Sequence, residues 1–238
     1  FAENNNNKPQ WRKILVNTYL PDALLGLKEM AQNLWWSWNF QAQELFELMD
    51  ASLWRKAGKN PLALLEMLTL DHYNQLLNDE AFMKKYQEVY GMFKSYMAEK
   101  PSGDDLVAYF SMEYGINDTL KIYSGGLGVL AGDYLKQASD SCKNMIGIGL
   151  LYRYGYFTQS LSVNGEQIAL YPPQKFSHMP VLPVRNENGE WLTISLAFPG
   201  RTVFAKLWEV KVGRISLYLL DTDINENNSD DRAITYQL

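Results

Sequence analysis

Between residues 106 and 152 the chain runs through a short apolar stretch, a glycine-rich loop, an amphipathic helix pattern and a second apolar stretch. This order constrains the fold more than any other feature. "LVAYF" (106–110) and "MIGIGLLY" (145–152) are short, apolar and rich in strand formers. Between them, "YSGGLGVLAGDYLKQASD" (123–140) sets paired glycines ahead of apolar positions at helical spacing: Leu127, Leu130, Ala131, Tyr134, Leu135 and Ala138. Strand, loop, helix and strand make a βαβ unit, which implies parallel strands joined by a right-handed crossover.

The flanks differ in character. Before the unit, apolar residues recur with helical period from Leu27 through Met30, Leu34, Trp35 and Trp38. Asn60-Pro61 reads as an N-cap and first helical position. Asp79 reads as the cap of a longer helix with a stripe of Phe82, Met83, Tyr86, Val89, Tyr90, Phe93 and Met97. "KPSGDD" (100–105) is turn chemistry and the best boundary. After Tyr156 the pattern turns to β. Asn164-Gly165 and Asn188-Gly189 mark hairpins, and the segments around Gly213 form a further strand pair. The expected architecture is α/β, with a helical region over 1–103 and a partial Rossmann-like domain with added hairpins over 104–238.

Composition excludes several classes. The net charge of −5, with Lys and Arg scattered, argues against a nucleic-acid surface. Cys142 is the single cysteine, so no intrachain disulfide forms, and with His72 and His178 far apart no zinc spacing exists. No apolar run approaches ~18 residues, so no membrane helix is expected. "FAENNNNKPQ" lacks the order of a signal peptide and reads as a solvated tail. A cytoplasmic location is the expectation. The chain starts without Met and reads as a piece of something longer.

Three motifs carry candidate chemistry. Gly126-Leu127-Gly128-Val129-Leu130-Ala131 formally matches the dinucleotide fingerprint G-x-G-x-x-A. Its context does not fit, because the first strand ends well before the glycines and no carboxylate ends the second. Two readings remain for the loop. It is either a turn that lets a helix pack on a sheet, or an anion cradle in which side-chain-free Gly125 and Gly126 expose backbone N–H groups at a helix N-terminus. Glu113, in "YFSMEYG", falls just past the first strand, where open α/β sheets place ligands. It is equally readable as a solvated or ion-paired carboxylate. Asp118 and Asp133 are possible acidic partners, and Asp133 opposes an anion if it faces the same way. "NLWWSWNF" (33–40) suggests a sugar platform, but Trp35 and Trp38 continue the apolar stripe, so core packing is preferred. No G-x-S-x-G elbow, Walker loop or clustered metal ligands occur.

At these residues the sequence resembles a known family. "AYFSMEYGINDTLKIYSGGLGVLAGDYLKQASD" and "GIGLLYRYGYFTQ", with "NLWWSWN" and "LWEVKVGRISLYLLDTDINEN", closely resemble the α-glucan (glycogen, starch or maltodextrin) phosphorylases of the short bacterial branch. The resemblance covers nearly everything from about Leu20 to Leu238. It implies a GT-B fold and cleavage of α-1,4-glucan by inorganic phosphate to give glucose 1-phosphate. It makes Glu113 an active-site acidic position. It also makes Gly125, Gly126 and Leu127 the loop whose backbone faces the substrate phosphate and glucosyl unit. It implies pyridoxal phosphate as cofactor, bound by a lysine of later sequence that this chain does not contain, and a possible homodimer. Phosphorylation control is not implied. Two alternatives stay open: a glycogen or starch synthase, whose Lys-x-Gly-Gly-Leu loop differs here by Tyr123, and a non-catalytic glucan-binding module.

Overall fold

A computed structural model describes residues 19–101 and 105–238. The "FAENNNNKPQ" tail and Ser102–Asp104 of the boundary turn lie outside the described residues. Six helices come first: α1 (Leu25–Ala31), α2 (Phe40–Met49), α3 (Ala51–Lys56), α4 (Pro61–Met67), α5 (Leu70–Asn78) and α6 (Glu80–Ala98). Side chains start five of them by accepting orphan N–H groups. Asn39, Asp50, Asn60, Thr69 and Asp79 cap α2 to α6 in turn. The expected caps at Asn60, with Pro61 behind it, and at Asp79 are both present. Phe82, Tyr86, Val89 and Phe93 form the buried face of α6, as its spacing requires.

One helical expectation needs correcting. The stripe from Leu27 to Trp38 is not one helix. It breaks after Ala31 into a 3-10 turn over Leu34–Ser37. Asn33 causes the break. Its side-chain oxygen accepts the N–H groups of Trp35 (2.9 Å) and Gly213 (2.8 Å), and its amide donates to the Gly213 carbonyl (3.0 Å). A buried Asn that satisfies three backbone groups outweighs the propensity to continue a helix. Leu27, Met30, Leu34 and Trp35 are nevertheless all buried.

The remaining elements are β1 (Val107–Phe110), α7 (Gly126–Asp140), β2 (Met145–Leu150), β3 (Thr158–Leu161), β4 (Gln167–Leu170), β5 (Val181–Pro183), β6 (Thr193–Phe198), β7 (Arg201–Val212), β8 (Ile215–Asp221) and the short α8 (Ser229–Arg232). The main sheet runs β1-β2-β8-β7, and both β5 and β6 pair with β7. β1, β2 and β8 are mutually parallel, whereas β7 is antiparallel to β8, β5 and β6. The β1–α7–β2 unit is therefore the parallel crossover that the sequence order requires. β3 and β4 form a separate hairpin turned at Asn164-Gly165, and Gly213 turns β7 into β8. Gly165, Gly189 and Gly213 all hold positive φ.

The α7 stripe also differs from its expectation. Ala131, Leu135 and Ala138 are buried together with Gly128, Gly132 and Ser139, while Leu127, Leu130 and Tyr134 are exposed. The reason is a close approach. Gly115 N–H donates to the Gly128 carbonyl at 2.7 Å, and a Cβ on Gly132 would sit 2.2 Å from the Gly115 carbonyl oxygen. The helix therefore meets the preceding loop along its glycines, and that contact turns the larger apolar side chains outward.

Candidate functional site

The C-terminal ends of β1, β2 and β8 define one end of the sheet. A shallow, mainly apolar cavity of about 290 Å³ lies there, lined by Phe110, Ser111, Met112, Ile148, Gly149 and Leu220 among others. The loop leaving β1 at this end is held by Tyr114. That side chain is fully buried, and its hydroxyl donates to the carbonyls of Tyr109 (2.8 Å) and Ile148 (3.1 Å). Burial pushes its pKa up to about 12, so it stays a neutral donor. Gly149 makes room for it, since a Cβ there would come within 2.7 Å of the Tyr114 ring.

Tyr114 fixes the residue before it, and so Glu113 reaches the start of α7. Both carboxylate oxygens are engaged. Oε2 accepts the Ser124 N–H (3.0 Å), and Oε1 accepts the Ser124 hydroxyl (2.8 Å). A carboxylate at this place favours the positive end of the helix dipole. Behind it, Tyr152 donates to the Met112 carbonyl at 3.2 Å, and its pKa is raised by burial first and by the Glu113 charge second.

Next come Gly125 and Gly126. Gly125 is the N-cap of α7, and no side chain caps that end. Its φ of −163° and ψ of −157° are ordinary extended backbone, so its conformation does not demand glycine. A Cβ on Gly125 or Gly126 would meet nothing within 4 Å. Among the described residues, no acceptor bonds the N–H groups of Gly125, Gly126, Leu127 or Gly128. Both loop glycines and Leu127 are exposed. The arrangement is a row of free donors at a helix N-terminus with open space in front, which suits an anion.

The structure thus brings Glu113, Gly125, Gly126 and Leu127 together. It does not bring Asp118 or Asp133 to them. Asp133 is exposed on α7, 3.9 Å from Lys136, and Asp118 lines a different cavity. Ser124, which ties Glu113 to the loop, and Tyr114, which holds that carboxylate in place, were missed by the sequence reading. The sequence signal for both was their position at the edges of the two quoted motifs. Trp35 packs in the core against Phe93 and Tyr96, with ring centroids 5.3 and 5.8 Å apart. No lysine lines the sheet-end cavity, and none among the described residues bonds to the loop through its side chain. No helix among the described residues is long and apolar enough to cross a membrane.

Comparison with known proteins meets this geometry. A family model described as a protein of unknown function (DUF3417) matches residues 20–120. Curated relatives extend the match across both halves of the chain. A maltodextrin phosphorylase of Thermococcus litoralis is 42% identical over 227 residues, covering 92% of this chain and 27% of that protein. A glycogen phosphorylase of Aquifex aeolicus is 40% identical, over 90% of this chain and 31% of its own length. A glycogen phosphorylase of Mycobacterium tuberculosis is 36% identical, over 95% and 28%. The chain is therefore homologous, along nearly its whole length, to a segment of glycogen and maltodextrin phosphorylases. It spans less than a third of the length of these relatives.

Proposed function

We propose that this chain is the N-terminal part of an α-1,4-glucan phosphorylase, a glycosyltransferase that cleaves glycogen or maltodextrin with inorganic phosphate to give glucose 1-phosphate. The observation that carries the reading is the uncapped start of α7. Its free N–H groups face open space ahead of Gly125 and Gly126, in a segment whose relatives are named phosphorylases. Fixed backbone dipoles suit phosphorolysis, because they stabilise charge moving on the attacking phosphate without having to reorganise.

In this reading Gly125, Gly126 and Leu127 bind and orient the phosphate and the glucosyl unit. Glu113 holds the loop in register through Ser124 and supplies negative charge on the side where the sugar ring becomes positive. The sheet is the first Rossmann-like layer of a GT-B enzyme, with the helical region of residues 1–103 leading into it. Pyridoxal phosphate, whose phosphate assists proton transfer, is held by a lysine outside this chain, and no step above passes through it. A homodimer rests on resemblance alone. The synthase alternative draws no support from the three relatives, all named phosphorylases.

The test is release of glucose 1-phosphate from maltodextrins of graded length by the whole protein. Release that requires inorganic phosphate is the expected result. Transfer from a nucleotide sugar with no phosphate-dependent cleavage would favour the synthase, and glucan binding without either reaction would favour the module.

A further inference from the structure

Opposite β1, the sheet ends in an arm made of β6 and the first part of β7. β6 pairs with Arg201–Lys206, whereas β8 pairs with β7 only from Lys206 onward. The stretch from Arg201 to Ala205 therefore extends past β8. Asn227 takes the place of the missing ladder there. Its side chain accepts the Phe204 N–H (2.8 Å) and donates to the Phe204 carbonyl (2.7 Å).

Those two bonds fix the direction of the other edge. Phe204 turns its N–H and C=O away from β6, so it exchanges no backbone bonds with Ser195, the residue opposite. By the alternation of an antiparallel ladder, Thr193, Ser195 and Ala197 point their own N–H and C=O groups away from β7. Among the described residues no acceptor bonds these three N–H groups, and all three residues are exposed. Free edges are normally blunted by a lysine, a proline or a bulge. β6 has neither charge nor proline from Thr193 to Phe198, and its register with β7 is unbroken.

The strand is also its own complement. An antiparallel copy related by a twofold axis at Ser195 sets Ser195 opposite the partner's Ser195, and Thr193 opposite the partner's Ala197. Every outward N–H and C=O of these residues is then paired. The same register sets Ile194 against the partner's Leu196. These half-buried side chains extend the face on which Val203 and Ala205 are buried. The ends match in charge. Exposed Glu190 precedes the strand, and Arg201, 47% exposed beside Asp231, follows it. The axis brings the Glu190 end of one copy to the Arg201 end of the other.

We infer that the outer edge of β6 is a pairing surface for a second copy of this chain, which joins two sheets into one across a twofold axis. The inference is independent of the phosphorylase reading. Its test is sedimentation velocity of the whole protein over a range of concentrations, together with cysteine cross-linking. A dimer is expected. Ser195→Pro deletes an N–H that makes no bond to β7, so the monomer keeps its ladder. The dissociation constant should rise at least ~10-fold, because both copies lose a bonded donor. Ser195→Lys sets two like charges together on the axis and should do the same. In Ser195→Cys the paired Cα atoms stand about 5.5 Å apart, within disulfide reach. Mild oxidation should give a covalent dimer in far higher yield than Val163→Cys, fully exposed between β3 and β4. A monomer at every concentration, a dimer that survives both Ser195→Pro and Ser195→Lys, or equal cross-linking at the two cysteine positions would each overturn the interface. So would a monomer whose Thr193, Ser195 and Ala197 amides resist hydrogen exchange, because another part of the same polypeptide then holds the edge. A protein that pairs through β6 but cleaves no glucan keeps this surface and loses the catalytic reading.

Discussion

At the scale of single residues, the glycines of one short loop separate by what surrounds them. Gly125 and Gly126 face empty space and adopt backbone angles open to any residue, whereas Gly128 and Gly132 are enclosed by the chain itself. A Cβ on Gly128 would lie 2.4 Å from Tyr123 Cβ, and one on Gly132 would lie 2.2 Å from a backbone oxygen that cannot swing aside. Gly132→Ala should therefore destabilise the protein by about 2 kcal/mol or more, as overpacking does, read as a lowered chemical-denaturation midpoint. Gly126→Val keeps its N–H but sets a branched side chain in the open space before it; it should leave that midpoint unchanged and, by keeping the anion from the donors, lower kcat/KM for phosphorolysis at least ~100-fold, the scale on which one preorganised donor to a developing anion is lost. Near-normal phosphorolysis by Gly126→Val sinks the phosphate loop, and a fall in stability equal to that of Gly132→Ala means that the space ahead of Gly126 is filled by the protein. The sequence showed where the glycines were but not this division, because a close backbone approach depends on Gly115, which is remote from them in sequence.

Among elements, local chemistry was legible and long-range contact was not. Caps at Asn60 and Asp79, turns at Asn-Gly pairs and the β1–α7–β2 crossover depend on neighbours within a few positions, and all are present. The break after α1 depends on Gly213, 180 positions away from Asn33 in sequence, and no periodicity reports such a partner. Trp35 and Trp36 show the same limit. They are adjacent in sequence, yet Trp35 turns towards Phe93 on α6 while Trp36 turns towards Phe46 and Trp54. Trp35→Ala should cost roughly 3–5 kcal/mol, the range for truncating a buried large aromatic. Maltodextrin affinity of the folded fraction should hardly change. A stable Trp35→Ala protein with much weaker glucan binding would move the sugar contact to that ring. Asn33→Ala should cost on the order of 2–3 kcal/mol, because the Gly213 and Trp35 backbone groups lose buried partners. The corresponding check is a denaturant midpoint, and a value within error of wild type would show that water replaces the amide.

For the whole molecule, the sheet ends in an edge strand. Among the described residues β1 bonds to β2 on one side only, and Leu106, Val107, Phe110 and Met112 on and beside it are at least half exposed, with Phe110 at 71%. Apolar surface of this kind on an isolated chain favours association, and the matched relatives are more than three times longer than the segment they share with it. Residues 1–238 expressed alone should therefore bind an apolar dye such as anilinonaphthalene sulfonate more strongly than the whole protein does. They should also neither bind pyridoxal phosphate covalently nor release glucose 1-phosphate from glycogen. A Schiff base needs a lysine of depressed pKa in a pocket shaped for the ring, and the phosphorylase reading puts that lysine outside this chain. The free N–H groups at the start of α7 remain open to water, where each interaction weakens towards its bulk value, and nothing fixes the phosphate against a glucan. The purified chain would be incubated with pyridoxal phosphate, reduced with borohydride and weighed by mass spectrometry, while glucose 1-phosphate is followed over hours. Stoichiometric labelling at one lysine together with turnover would show that the segment is a complete catalyst, and the reading of it as one part of a phosphorylase would fail.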